Sequence, residues 1–136
     1  MRFMVLVKAS DESEAGVLPK QDALAAMMKY NEELARAGVM LAGEGLCDTS
    51  KGARIAYSGS KRTVVDGPFT EAKELVAGFW LIQAKSRDEA VEWLKRAPFE
   101  DGEVEIRQVF EPDDFGAEFT PELRAAGERL RAQTGQ

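Results

Sequence analysis

Two stretches of the chain are apolar at nearly every position. Residues 3–7 read Phe-Met-Val-Leu-Val, and residues 75–84 are interrupted only by Gly78 and Gln83. A strand that is apolar at both alternating sets of positions is buried on both faces, so both stretches predict central strands. In residues 19–37, Leu24, Met27, Met28 and Leu34 recur at helical spacing. Pro19 suits the first turn of that helix and Gly38 its end. Residues 39–46 predict a further strand. Residues 54–57 and 62–65 predict a hairpin turning at Gly59-Ser60, where glycine supplies the positive φ of a tight turn. Asp66-Gly67-Pro68-Phe69 breaks the strand pattern, because Pro68 has no backbone donor and Gly67 permits a sharp turn.

Residues 86–97 predict a helix opened by a capping box of Ser86 and Glu89, with Ala90, Val91, Leu94 and Ala97 as its buried stripe. Residues 103–110 alternate, with Val104, Ile106 and Gln108 on one side and Glu105, Arg107 and Val109 on the other. Thr120-Pro121-Glu122 has the chemistry of an N-cap, a first position and an acidic first turn. It predicts a last helix over about 120–134, burying Leu123, Ala126 and Leu130. Residues 10–18 and 112–116 read as polar loops.

The order is β-α-β, an inserted hairpin, then β-α-β. That is an α+β, ferredoxin-like split βαβ plan followed by a C-terminal helix. Two helices cover one face of such a sheet and leave the other bare. A second copy of the sheet about a two-fold axis is the simplest cover, so a homodimer is expected; the last helix folded back in cis is the competing cover.

Composition narrows the function. The chain has 136 residues, 44% of them hydrophobic, and a formal net charge of -6. One domain with its own core fits that length. The acidic balance argues against general nucleic-acid binding. The opening apolar run is too short for a signal peptide or a membrane helix, which points to a cytoplasmic protein with no membrane partner. Cys47 is the single cysteine and histidine is absent. Zinc hydrolase, Ser-His-Asp and Cys-His chemistries therefore fail, and neither a metal nor an organic cofactor is expected.

The block Val64-Val65-Asp66-Gly67-Pro68-Phe69-Thr70-Glu71-Ala72-Lys73-Glu74, followed by Gly78-Phe79, resembles the signature of the YCII-related domain family and its DGPF subgroup. Residues 1–6, 37–39, 43–46, 88–90 and 104–107 resemble other parts of that family. The resemblance covers residues 1–110 and leaves 111–136 as an extension. It implies a dimeric α+β barrel with a small-molecule pocket. It also implies a link to sigma-factor regulation, because some related domains lie beside or within such regulators. The wider family's His-Asp pair cannot be carried over, since only the aspartate, as Asp66, is present.

Asp66 thus has two readings. It is a turn residue capping nearby backbone, or, with Glu71 and Lys73 close by, a general base of shifted pKa. Glu44, between Gly43 and Gly45, is either a solvated edge residue or a lone acid on bare backbone. Arg107 is either an anion clamp or a partner for a surface acid. Tyr57 and Trp80 read as packing, and Cys47 as an ordinary small residue. The function expected first is binding of a small anionic or carbonyl-bearing molecule, with cofactor-independent proton transfer of isomerase, lyase or hydrolase type. Asp66 would be the base, with Glu44, Glu71, Lys73 and Arg107 binding. The alternative is a noncatalytic ligand-sensing or protein-docking module. The tail helix is expected to take no part in chemistry.

Overall fold

A computed structural model describes residues 1–136. The chain runs β1 (Arg2–Lys8), a short α1 (Asp11–Glu14), α2 (Gln21–Arg36) and β2 (Met40–Gly45). A 3₁₀ turn (Thr49–Lys51) leads to the hairpin strands β3 (Ala53–Ser58) and β4 (Lys61–Asp66). After a second 3₁₀ turn (Ala72–Glu74) come β5 (Val76–Gln83), α3 (Arg87–Leu94) and β6 (Val104–Gln108). A kinked 3₁₀ segment (Pro112–Glu118) then precedes α4 (Pro121–Thr134).

The two doubly apolar stretches are the central pair of a four-stranded sheet, ordered β2-β5-β1-β6 with every pair antiparallel. Register decides which residues share a face. Phe3 lies opposite Ile82 and Val5 opposite Trp80, and β6 sets Ile106 against Val5. These residues meet Tyr30 and Leu34 of α2 and Ala90 and Leu94 of α3 in the core. Met4, Leu6, Phe79 and Leu81 form the second face, and each is only half-buried.

The helices begin where side chains satisfy their first amides. Ser86 accepts from Glu89 N at 3.1 Å, and Thr120 from Leu123 N at 3.3 Å. Glu89 reaches past the N-cap to accept from Lys85 N at 2.8 Å, one residue beyond its expected partner. Residues 10–18 are not wholly loop: Ser10 and Ser13 cap each other's backbone and start α1. In α2 the core residues are Tyr30 and Leu34, whereas Leu24 and Met28 are exposed. Leu123 and Leu130 are also exposed, because α4 turns Arg124 and Gly127 toward Phe119 instead.

The expected dimeric α+β barrel is not borne out, because no sheet closes into a barrel. The four-stranded sheet is open, with β2 and β6 as free edges, and β3 and β4 pair only with each other. Four strands are too few to close, since small barrels need about eight. What stands is an α+β fold with one sheet of four strands, a separate hairpin and helices.

The buried Tyr30 hydroxyl donates to the Trp93 carbonyl at 2.7 Å and ties α2 to the end of α3. Burial pushes its pKa up to about 12; the Arg96 charge opposes this and the Glu33 charge adds to it. In the unfolded chain a tyrosine ionises near 10, so deprotonation first stabilises the unfolded state. Stability should be complete below about pH 10, fall as pH rises toward about 12 and then level off. The loss should be about 2 kcal/mol at pH 11.5 and approach about 3 kcal/mol above pH 12. Urea unfolding at pH 8 and pH 11.5 measures it, and Tyr30→Phe should flatten the difference.

Candidate functional site

Three glycines open a niche between the sheet and α2. Gly43 lies opposite Trp80 and Gly45 opposite Gly78, so strand alternation turns all three glycines toward the helices. A Cβ on Gly43 would come within 2.9 Å of the Trp80 ring, and one on Gly78 within 2.9 Å of the Glu44 carbonyl oxygen. Close packing therefore requires glycine at both positions. At Gly45 an added Cβ would meet nothing within 4 Å. The result is a cavity of about 260 Å³ with a floor of bare backbone. Met27 and Asn31, one turn apart on α2, stand over it, and Phe99 closes one side.

The walls are aromatic and held in place. Trp80 is buried edge-on between Tyr30 (5.8 Å between centroids) and Phe99 (6.1 Å). Its indole Nε1–H donates to Asn31 Oδ1 at 2.8 Å. Glu44 also borders the niche. It lies opposite Phe79, so alternation sends its carboxylate to the second face.

The Asp-Gly-Pro-Phe block is built as a clamp. Gly67 N donates to the Gly52 carbonyl at 3.0 Å. A Cβ on Gly67 would sit 1.7 Å from the Thr49 carbonyl oxygen. Phe69 N donates to Thr49 Oγ1 at 2.9 Å. Thr49 donates from its own N and Oγ1 to the Glu14 carboxylate, at 3.1 and 2.5 Å. The Arg54 guanidinium lies 3.9 Å over the Phe69 ring. The block thus ties the base of the hairpin to the 49–52 turn and to α1. Beside it, the Ser50 hydroxyl hydrogen-bonds Asp48 and holds that carboxyl below the usual carboxylate range.

The five residues singled out from the sequence do not converge. Asp66 ends β4 opposite Ala53 and is exposed. Glu71 is exposed in the left-handed region, at φ 61°. Lys73 borders a different cavity, of about 400 Å³, shared with Lys8 and Ser10. Arg107 is exposed on the second face, 3.9 Å from Glu105. Of the five, only Glu44 touches the niche. Asn31, Phe99 and Gly78 were not weighed as site residues, and Trp80, read as packing, is indeed a core residue that also borders the niche. The one signal for them was the Gly43-Glu44-Gly45 spacing, which drew attention to the acid rather than to the room beside it. No group of three or more Cys, Asp or Glu side chains is placed to hold a metal ion.

The model of the YCII-related domain matches residues 1–113. The chain belongs to the YCII-related domain family. An uncharacterized protein of Rhizobium meliloti (strain 1021) is 37% identical over 67 residues, which is 47% of this chain and 54% of that protein. The chain thus aligns with about half the length of that relative. A solved structure is also similar: 5-chloro-2-hydroxyhydroquinone dehydrochlorinase from Burkholderia phenoliruptrix AC1100, in complex with 2,5-dihydroxybenzoquinone. It shares 20% identity at a TM-score of 0.45, over 82% of this chain and 95% of that one. So distant a likeness transfers neither ligand nor mechanism. The family match is to the YCII-related domain as a whole and does not reach the narrower DGPF subgroup or a barrel superfamily. In this YCII-related domain the Asp-Gly-Pro-Phe residues make a turn clamp and do not mark out a domain. No helix is long and apolar enough to cross a membrane.

Proposed function

We propose that this YCII-related chain is a small-molecule-binding domain whose ligand occupies the niche between α2 and the β2–β5 pair. One observation carries the reading: three glycines strip a patch of sheet of side chains directly beneath a helix. Helix and sheet normally pack side chain against side chain, so an open groove floored by backbone and walled by Trp80 and Phe99 leaves room that a ligand can fill. Its volume of about 260 Å³ suits a molecule of one ring.

Proton transfer with Asp66 as base would need Asp66, Glu71 and Lys73 to face one ligand. Asp66 and Glu71 border none of the main cavities and Lys73 borders one apart from the niche, so the niche favours binding or sensing over catalysis by that set. Filling the niche tests the reading. Gly45→Val should fold, because its Cβ meets no neighbour, and should abolish binding of fragments that wild type takes up. Undiminished binding would place the site elsewhere.

The same reading includes a homodimer. Met4, Leu6, Phe79 and Leu81 on the second face are only half-covered within one chain, and Ile55, Tyr57 and Val64 on the hairpin are exposed. Patches of that kind mark interfaces, and a two-stranded hairpin is marginal alone in water. Light scattering should give about twice the 15.0 kDa of one chain, and Leu81→Arg should yield a folded monomer. A wild-type monomer would end the proposal of a dimer without touching the niche.

A further inference from the structure

The niche contains a hydrogen-bond donor with a defined direction and no charge. Indole nitrogen can only donate, so the Asn31 atom facing Trp80 Nε1, at 2.8 Å, is the amide oxygen. The orientation of the Asn31 amide is thereby settled. Its Nδ2 carries two hydrogens, no protein group accepts either of them, and the nitrogen stays open to water until a ligand covers it. Trp80 is fixed in turn by its edge contacts with Tyr30 and Phe99. Asn31 is therefore held as a donor at the wall of a cavity otherwise lined by apolar side chains and glycine backbone.

Charge selection follows from the same lining. No cation borders the niche, and the one acid that does, Glu44, turns its carboxylate to the other face. A carboxylate or phosphate entering it would lose water with no opposite charge in return, which is unfavourable. A wholly apolar ring would leave the Asn31 donor cut off from water, which also costs free energy. A flat ring suits the bare backbone floor, and a single neutral acceptor oxygen suits Nδ2.

We propose, resting on the niche as the binding site, that the ligand class is an uncharged single-ring compound bearing a carbonyl-type acceptor oxygen. Asn31 is its specificity-determining residue and Trp80 the residue that positions Asn31. The anionic half of the class expected from sequence is thus set aside in favour of the carbonyl half.

The test uses three probes of similar size on the full-length chain: acetophenone, ethylbenzene and benzoate. Binding is followed through the Asn31 side-chain amide and Trp80 indole resonances in nitrogen-proton correlation spectra. Acetophenone should bind about tenfold more tightly than ethylbenzene, the discrimination one hydrogen bond supplies, and benzoate should be the weakest. Asn31→Asp keeps an acceptor for the Trp80 indole and removes the free donor. Backbone amide resonances unchanged away from residue 31 and Trp80 show that the fold is kept, and the preference for acetophenone should vanish. Equal binding of acetophenone and ethylbenzene to wild type, or tighter binding of benzoate, would overturn the ligand class. A preference that survives Asn31→Asp would overturn the role of Asn31. Those results would leave the niche standing if Gly45→Val still abolished binding. Binding of every probe to Gly45→Val, or of none to wild type, would overturn the niche itself and the class with it.

Discussion

Gly67→Ala should destabilise the domain by about 3 kcal/mol or more, whereas Asp66→Ala, one residue earlier, should shift stability by less than about 0.5 kcal/mol. The contrast comes from what each residue touches. A methyl group on Gly67 would lie 1.7 Å from the Thr49 carbonyl oxygen, and that neighbour is backbone, unable to swing aside. Relieving the overlap means pulling the hairpin base away from the 49–52 turn. The Gly67 N to Gly52 O bond, the Phe69 N to Thr49 Oγ1 bond and the Thr49 bonds to Glu14 lie in the same clamp. Asp66 has an exposed side chain that makes no hydrogen bond or ion pair with the rest of the chain. Urea denaturation of the two variants measures both effects. A larger loss in Asp66→Ala than in Gly67→Ala would show that the motif acts through its carboxylate, and the clamp reading would be wrong.

Trp80→Ala should cost about 3 to 5 kcal/mol, the range for a large aromatic removed from a core. Trp80 is buried on a central strand, packs edge-on against two rings and anchors Asn31. Truncating it joins the niche to a new void beneath α2 and frees the Asn31 amide to turn. Stability and selectivity should therefore fall together: the chain should unfold at lower urea, and any remaining affinity should no longer distinguish acetophenone from ethylbenzene. Leu34→Ala offers the comparison. It removes a fully buried side chain on the same helix as Asn31, and should cost about 2 to 5 kcal/mol while leaving selectivity intact. Loss of selectivity in both variants would mean that it tracks global stability and not the indole contact.

Most of the fold was legible because it rests on local chemistry and short periods. The doubly apolar stretches at 3–7 and 75–84 could only be central strands, and Gly59, Ser86 and Thr120 marked a turn and two helix starts. Reading failed where position in space decides. Of the helical stripe Leu24, Met27, Met28 and Leu34, only Met27 and Leu34 reach the core, which also takes Tyr30, while Leu24 and Met28 face solvent. α1 is polar all round, so no apolar stripe announced it, and only the Ser10–Ser13 pair could have. The barrel came from resemblance, and nothing in the pattern of one chain could test whether its sheet closes.

The site was harder to read for a different reason. Chemistry was sought in residues that carry charge, namely Asp66, Glu44, Glu71, Lys73 and Arg107, and the chain scatters them over its surface. The niche is made by absence: glycines at 43, 45 and 78 remove side chains, and a neutral amide on α2 looks down on the gap. Gly43 and Gly45 lie more than thirty residues from Gly78 in sequence, and only strand register brings them together. A lone asparagine among helical residues gives no signal until its indole partner is known.

The central claim is that ligands enter this niche, and chemical-shift mapping of a fragment screen on the full-length chain tests it most directly. The hits should move the Trp80 indole, the Asn31 side-chain amide and the backbone amides of Gly43, Gly45 and Gly78 as one group. Hits that instead move the amides around Asp66, or around Lys8 and Lys73, with the Trp80 indole unmoved, would contradict it.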